Sequence, residues 1–235
     1  MRTIGLIGGM SWESSAEYYR IINEETAGRL GGTHSAKSVM VSVDFGEVER
    51  LQHAGRWDEL ATVVSGAARA CEAAGAGFVV LCTNTMHKVI GPVSDTVGIP
   101  VLHIADATAR EVTRRGVRTV GLLGTRFTME EEFYRGRLES EHGLSVIVPE
   151  ERDRALVHRV IYEELVLGRI DERSRQAFVE VVDRLGTAGA GGVILGCTEI
   201  GLLLRQQDVG LPLFDTTRIH ALAAVDLALA PNESG

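Results

Sequence analysis

The sequence predicts an α/β protein of two lobes, each a four-stranded parallel sheet flanked by helices, and three observations predict it. Eight short apolar runs, at residues 3–7, 38–43, 77–82, 99–102, 117–123, 144–148, 192–196 and 211–214, alternate with longer stretches of helical periodicity. Such a βα series builds parallel sheets, whose strands are covered on both faces and so read as unbroken apolar runs. The chain is also rich in glycine, 27 of 235 residues, as many tight strand-to-helix turns require. Third, the halves repeat one another. Gly5-Leu6-Ile7-Gly8-Gly9 matches Gly121-Leu122-Leu123-Gly124-Thr125, and the pairs Gly8/Gly124, Thr83/Cys197 and Gly98/Gly210 lie 116, 114 and 112 residues apart. Near-constant offsets of this kind indicate an internal duplication, with copies related by a pseudo-two-fold axis that brings equivalent strand ends together in one cleft.

Each element has its own warrant. Residues 3–7 enter a strand directly, and Gly8-Gly9-Met10-Ser11 is a strand-to-helix turn in which glycine lets the backbone approach a ligand and Ser11 caps the helix that follows. It matches neither GxGxxG nor GxxxxGK[ST], so a bound carboxylate is expected there more readily than a pyrophosphate. Between the second and third runs, Trp57, Leu60, Val63, Val64, Ala67, Ala68 and Cys71 recur at helical spacing and form one buried stripe, which makes Cys71 a small core residue. In the second half, Thr128 and Glu131 form a capping-box pattern after the Thr125 turn.

Composition narrows the function. A net charge of −8 and a pI near 5.4 leave no basic stripe for nucleic acid. No apolar run approaches the roughly 18 to 20 residues that span a bilayer, and no signal-peptide pattern precedes the first strand, so a cytoplasmic protein is expected. The three cysteines, Cys71, Cys82 and Cys197, lack CxxC or CxH spacing, which fits a reducing compartment better than a disulfide framework or a zinc site. Lys37 and Lys88 are the only lysines, and neither lies in a phosphate-cup context for pyridoxal phosphate. With flavin and nicotinamide fingerprints also absent, no cofactor and no metal is expected, and the chemistry falls to side chains.

Two strand ends carry that chemistry. The run 192–196 leads into Cys197-Thr198-Glu199, where amides at the start of a helix favour a thiolate. Lowering a free thiol from about 8.5 to about 7 takes only roughly 2 kcal/mol. The bland alternative is an inert small residue behind a strand. The run 77–82 leads into Thr83-Asn84-Thr85, a dense donor and acceptor set for a small polar ligand, or else an ordinary turn with hydroxyl capping. Strand alternation aims Cys82 into the core if Thr83 faces the cleft. His87 reads equally as support for this turn or as plain structure.

The GLIGGM-SWES start, the NTMH segment, the LLGT turn, the GCTEIG strand end and the paired GIP and GLP segments together resemble the cofactor-independent aspartate/glutamate racemase family. The resemblance covers nearly the whole chain and is closest to bacterial members with CTNTMH and GCTEIG motifs, which act as aspartate/glutamate or broad-specificity amino-acid racemases. It implies Rossmann-like lobes at residues 1–100 plus 210–235 and at 101–209, commonly a homodimer, and interconversion of L- and D-amino acids by two bases on opposite faces of the α-carbon. The family's usual first cysteine is Thr83 here, with Cys82 displaced by one, so the implied catalytic pair is Thr83 and Cys197. Carried over in the same way, Met10, Asn84, Thr85, Thr125, Thr198 and Glu199 hold the α-carboxylate and amine. Gln52 or Arg50 meets the far end of the substrate. Arg50 and Arg126 are the candidate cations for an acidic side chain, whereas Glu163 falls where some relatives carry a positive residue. Two alternatives accompany this reading: a decarboxylase or isomerase of the same fold using the single thiol, and a non-catalytic amino-acid-binding protein.

Overall fold

The computed structural model describes residues 1–231 and divides into two compact units, Met1–His103 with the C-terminal segment from His220, and Ile104–Ile219. In the first unit the order is β1 (Ile4–Gly8), α1 (Trp12–Leu30), β2 (Ser38–Ser42), α2 (Phe45–His53), α3 (Trp57–Ala73), β3 (Phe78–Leu81), α4 (Ile90–Ser94) and β4 (Val101–Leu102). A 3₁₀ turn, Thr85–Val89, precedes α4. The second unit continues with α5 (Ile104–Arg114), β5 (Thr119–Gly124), α6 (Arg126–Glu130), α7 (Glu132–Ser140), β6 (Ser145–Ile147), α8 (Glu151–Glu163), α9 (Glu172–Thr187), β7 (Val193–Gly196), α10 (Ile200–Leu203) and β8 (Leu213–Asp215). The helix α11 (Thr216–Leu229) starts in the second unit and ends in the first.

Each unit has one four-stranded, all-parallel sheet, ordered β2-β1-β3-β4 in the first and β6-β5-β7-β8 in the second. The same order in both halves is what the repeated glycine turns anticipate. All eight apolar runs form strands, and the central ones are buried on both faces.

The period-2 alternation sorts the side chains of each sheet between two cores. In the first unit, Ile7, Val79 and Leu81 pack with α2 and α3, while Ile4, Leu6, Phe78, Val80 and Cys82 pack with Tyr18, Ile21 and Ile22 of α1 and with Ala221, Ala224 and Val225 of α11. In the second, Leu123, Val193, Leu195 and Cys197 join α8 and α9, while Val120, Leu122, Ile194 and Phe214 join α5 and α7. Cys197 thus continues the row Val193, Leu195, whereas β3 ends at Leu81 and the chain turns there, the Thr83 amide bonding the Leu81 carbonyl at 2.8 Å. Cys82 points into the core. The helical stripe of α3 buries Leu60, Val64, Ala67, Ala68 and Cys71, with Val63 and Trp57 half-buried.

Two expectations need correction. The return to the first unit comes at His220 rather than at about residue 210, because Leu213–Asp215 pairs with β7 and completes the second sheet. The cap after β5 is Thr125, whose hydroxyl accepts from the Thr128 amide at 3.3 Å. Thr128 lies inside α6, a helix that ends at Glu130, so the Thr128/Glu131 spacing is not a capping box. Among the described residues no helix is long and apolar enough to cross a membrane.

Candidate active site

In the first unit the sequence-predicted residues gather at the carboxyl ends of β1 and β3, where parallel α/β sheets expose their loops. After β1 the chain turns at Gly9, with φ of +94°. A Cβ there would stand 2.1 Å from the Val43 carbonyl oxygen, so only glycine lets this loop lie against the chain leaving β2. The Gly9 amide donates to Ser15 Oγ (2.8 Å), Ser15 Oγ donates to the Ser11 carbonyl (2.8 Å), and Ser11 Oγ accepts from the Ser14 amide as the cap of α1. These bonds fix the Met10 backbone, whose side chain is buried with Val48, Leu51 and Met86.

After β3, the Thr83 amide donates to the Leu81 carbonyl (2.8 Å), and the Thr83 carbonyl accepts from His87 Nδ1 (2.8 Å). Thr83, Asn84 and Thr85 are all buried, at 8%, 2% and 6% exposure. Gln52 is buried on α2, with Nε2 3.2 Å from Met86 Sδ. Arg50, on the same helix, is exposed.

In the second unit, Gly124 and Gly196 are register partners at the ends of β5 and β7, and a Cβ on either would stand 2.9 Å from a carbonyl oxygen of the other strand. The glycines therefore allow the two strand ends to close up beneath Thr125 and Cys197. Cys197 is 7% exposed, and its thiol donates to Glu199 Oε2 at 3.0 Å. Thr198 Oγ1 donates to the same oxygen at 2.8 Å. Thr216 Oγ1 donates to the Leu195 carbonyl (2.7 Å) and braces the strand from β8. Arg126 is exposed at the start of α6, and Glu163 is exposed on α8, 3.6 Å from Arg159.

The electrostatics of Cys197 run opposite to the sequence expectation. Burial pushes the thiol well above its ordinary range, and the Glu199 carboxylate pushes it further by charge repulsion and by accepting the thiol proton. Amides of Glu199 and Ile200 do reach the sulfur and pull the other way, as expected of a helix start. They are outweighed, because α10 is four residues long and the carboxylate stands in contact. At rest Cys197 is a neutral thiol paired with a proton acceptor. Burial likewise raises the Cys71 and Cys82 thiols inside the first unit's cores.

Three features escaped sequence reasoning. Beyond its expected place as a substrate contact, Glu199 accepts the hydrogen of the Cys197 thiol at 3.0 Å, a pairing that their two-residue spacing allows. Thr217, beside the Asp215 cap of α11, is 2% exposed and its hydroxyl makes no hydrogen bond among the described residues. Tyr18, His103 and His220 assemble around His87, and nothing in their sequence spacing signals it. Lys88, one of the two lysines, holds its ammonium 3.8 Å over the Trp57 ring. Among the described residues, no group of three or more His, Cys, Asp or Glu side chains is arranged to hold a metal ion.

The similarities to known proteins agree with this architecture. A candidate Asp/Glu racemase from Yersinia pestis is 53% identical over 98% of this chain and 100% of its own, with a TM-score of 0.91. An aspartate racemase homologue from Pyrococcus horikoshii is 35% identical, again over 98% of this chain and 100% of its own, with a TM-score of 0.85. The broad-specificity amino-acid racemase RacX of Bacillus subtilis is 24% identical over 74% of each chain. Residues 7–224 match the Asp/Glu/hydantoin racemase family, and the chain belongs to that family.

Proposed function

We propose that the protein is a cofactor-independent amino-acid racemase that interconverts L- and D-amino acids by two-base transfer of the α-proton, with Cys197 and Thr83 as the two acid/base groups. The contact between the Cys197 thiol and Glu199 Oε2 at 3.0 Å carries the reading. A racemase base has to give up and regain a proton within each cycle, and a thiol hydrogen-bonded to a carboxylate has the acceptor already in reach. Cys197 passes its proton to Glu199, the resulting thiolate takes the α-proton of one enantiomer, and Thr83 protonates the opposite face of the carbanion. The Glu199 proton returns through solvent to the Thr83 alkoxide, so the protons balance over the turnover. An aliphatic hydroxyl is a far weaker acid than a thiol, so Thr83 does not rest as an anion, and the two hands are handled at different rates although equilibrium stays near unity.

In this reading the backbone at Met10 and the side chains of Asn84, Thr85, Thr125 and Thr198 hold the α-carboxylate and amine. Gln52 faces the far end of the substrate. Likeness to a candidate Asp/Glu racemase and to an aspartate racemase homologue supports an acidic amino acid as substrate here, whereas likeness to the broad-specificity racemase RacX supports a wider range. No pyridoxal phosphate enters this reading, in which side chains alone move the α-proton.

The test is incubation with each hand of aspartate, glutamate and a panel of neutral amino acids in deuterated water, read by chiral chromatography and mass. Deuterium is expected at the α-position together with loss of chirality, and Cys197→Ser is expected to lower racemisation, and α-exchange of the hand whose proton Cys197 takes, by more than about a thousandfold. Full activity of Cys197→Ser, or binding without α-exchange, overturns the proposal.

A further inference from the structure

We propose that His87 is the positioning residue for Thr83, and that Tyr18, His103 and His220 exist to hold the His87 ring. The inference rests on Thr83 being one of the two acid/base groups.

The Thr83 carbonyl can only accept, so His87 Nδ1, 2.8 Å away, carries the hydrogen and donates it. Together with the Thr83 amide on the Leu81 carbonyl at 2.8 Å, this fixes the peptide units on both sides of the Thr83 Cα, and with them the direction of its side chain. The His87 amide is tied to the Asn84 carbonyl at 3.0 Å, which closes the turn on itself.

The ring in turn is boxed in. His103 lies 4.6 Å from it, centroid to centroid, tilted at 59°, and His220 lies 6.0 Å away at 64°. His220 is locked as well: Nε2 donates to the Leu102 carbonyl at 3.0 Å, so Nδ1 of the neutral ring accepts from the Tyr18 hydroxyl at 2.9 Å. Tyr18 and His220 are fully buried, His87 is 1% exposed and His103 8%. These residues come from α1, the 3₁₀ turn, the end of β4 and α11.

Polar rings are a poor way to fill a core that is otherwise aliphatic, since each buried N–H or O–H needs a partner or costs about 1–3 kcal/mol. A satisfied network of this kind does one thing that leucines in its place would not. It sets the plane of one imidazole, and through Nδ1 the position of one carbonyl. The weaker acid of the pair has most to gain, because a misplacement of about 1 Å costs on the order of a hundredfold in proton transfer.

Two variants separate positioning from packing. His87→Asn keeps an N–H donor close to where Nδ1 stands, and His87→Leu removes it. In the free protein, backbone hydrogen exchange across residues 81–87, followed by mass spectrometry, is expected to quicken by about tenfold or more in His87→Leu and to stay near wild type in His87→Asn. With each enantiomer of aspartate and glutamate in deuterated water, His87→Leu is expected to cut α-exchange at least about tenfold for the hand that depends on Thr83, as defined by Thr83→Ala. Exchange of the hand defined by Cys197→Ser should change less than about threefold, and His87→Asn should restore both.

Equal loss for both hands, or His87→Asn as slow as His87→Leu, overturns the proposal. If wild-type protein exchanges no α-proton at all, the racemase reading fails by itself, and unchanged backbone exchange in His87→Leu then overturns the hold of His87 on Thr83. Should His87→Leu not fold, His103→Phe keeps the Nδ1 bond but alters the wall behind it. Its expected effect is a smaller loss confined to the Thr83-dependent hand, and loss on both hands counts against the proposal.

Discussion

Replacing Glu199 by glutamine removes one negative charge next to the Cys197 sulfur while keeping the size of the side chain. The separation is 3.0 Å. At that distance a full charge is worth about 1.4 kcal/mol with the dielectric of water and about 5.5 kcal/mol at an effective value of 20. The thiol of Glu199→Gln should therefore titrate lower than wild type. The direction is firm because both contributions of Glu199, its charge and its acceptance of the thiol proton, raise the wild-type value, while the amides of Glu199 and Ile200 remain in place to lower it. The assay is the rate of alkylation by iodoacetamide against pH, with thiolate absorbance as a second measure. Cys71 and Cys82 are silent references, both fully buried. A thiol whose titration is unmoved or rises in Glu199→Gln refutes the electrostatic account of this site. If the carboxylate is also the proton acceptor in turnover, the same variant loses α-exchange even though its thiolate forms more easily, an outcome that a purely electrostatic role for Glu199 does not produce.

The three thiols also set an alkaline limit on stability. Each has a folded value raised by burial, so the stability it contributes is complete below the ordinary thiol value near 8.5 and drains away as pH rises above it, by about 1.4 kcal/mol per pH unit for each thiol that stays protonated. Urea unfolding at pH 8 and pH 10 should show this, with a shallower loss in Cys82→Ala; an identical loss in that variant contradicts it. Gly9→Ala should cost more than about 2 kcal/mol, because φ is +94° and the new Cβ would meet Val43 oxygen at 2.1 Å; a thermal melt within a degree of wild type rules that out. Thr217→Val should be neutral or stabilise by up to about 1 kcal/mol, since it exchanges a buried hydroxyl without a hydrogen bond for a methyl; a lower melting temperature would show that the hydroxyl has a partner.

Much of the architecture was legible because parallel α/β folds write themselves locally. Four or five apolar residues closed by a glycine turn can hardly be anything but a buried strand, and Cys82 lies in a core, as strand alternation suggests. What was lost was lost to distance or to competition. Tyr18 and His220 are 202 residues apart, so no spacing rule could join them. The capping box failed because α6 begins at Arg126, which puts Thr128 inside the helix and makes Thr125 the cap. The segment Leu213–Asp215 was assigned away from the second unit because the short β8 is followed at once by a helix that does belong partly to the first. The thiol at Cys197 was misjudged for a more instructive reason. The sequence displays the amides that favour an anion but not the burial that opposes it, and the larger effect was the hidden one.

The two strand ends show how a duplicated fold becomes chemically unequal. Both sheets have the same order, and Thr83 and Cys197 follow equivalent strands, Phe78–Leu81 and Val193–Gly196. Two residues further on, the copies part. The second unit has Glu199, whose carboxylate takes the thiol hydrogen bond, whereas the first has Thr85, which offers no charge. A thiol in the first unit would thus lack the partner that Cys197 has, and a threonine in the second would leave Glu199 without the acidic hydrogen it faces. In place of a carboxylate, the first unit braces its strand end from behind, through His87 on the Thr83 carbonyl. One copy governs the proton of its side chain and the other governs the position of its backbone. For the acid/base pair proposed above, that division suits groups so different in acidity, because a thiol is tuned by nearby charge, whereas an aliphatic hydroxyl, too weak an acid to be tuned far, gains only from being held in the right place.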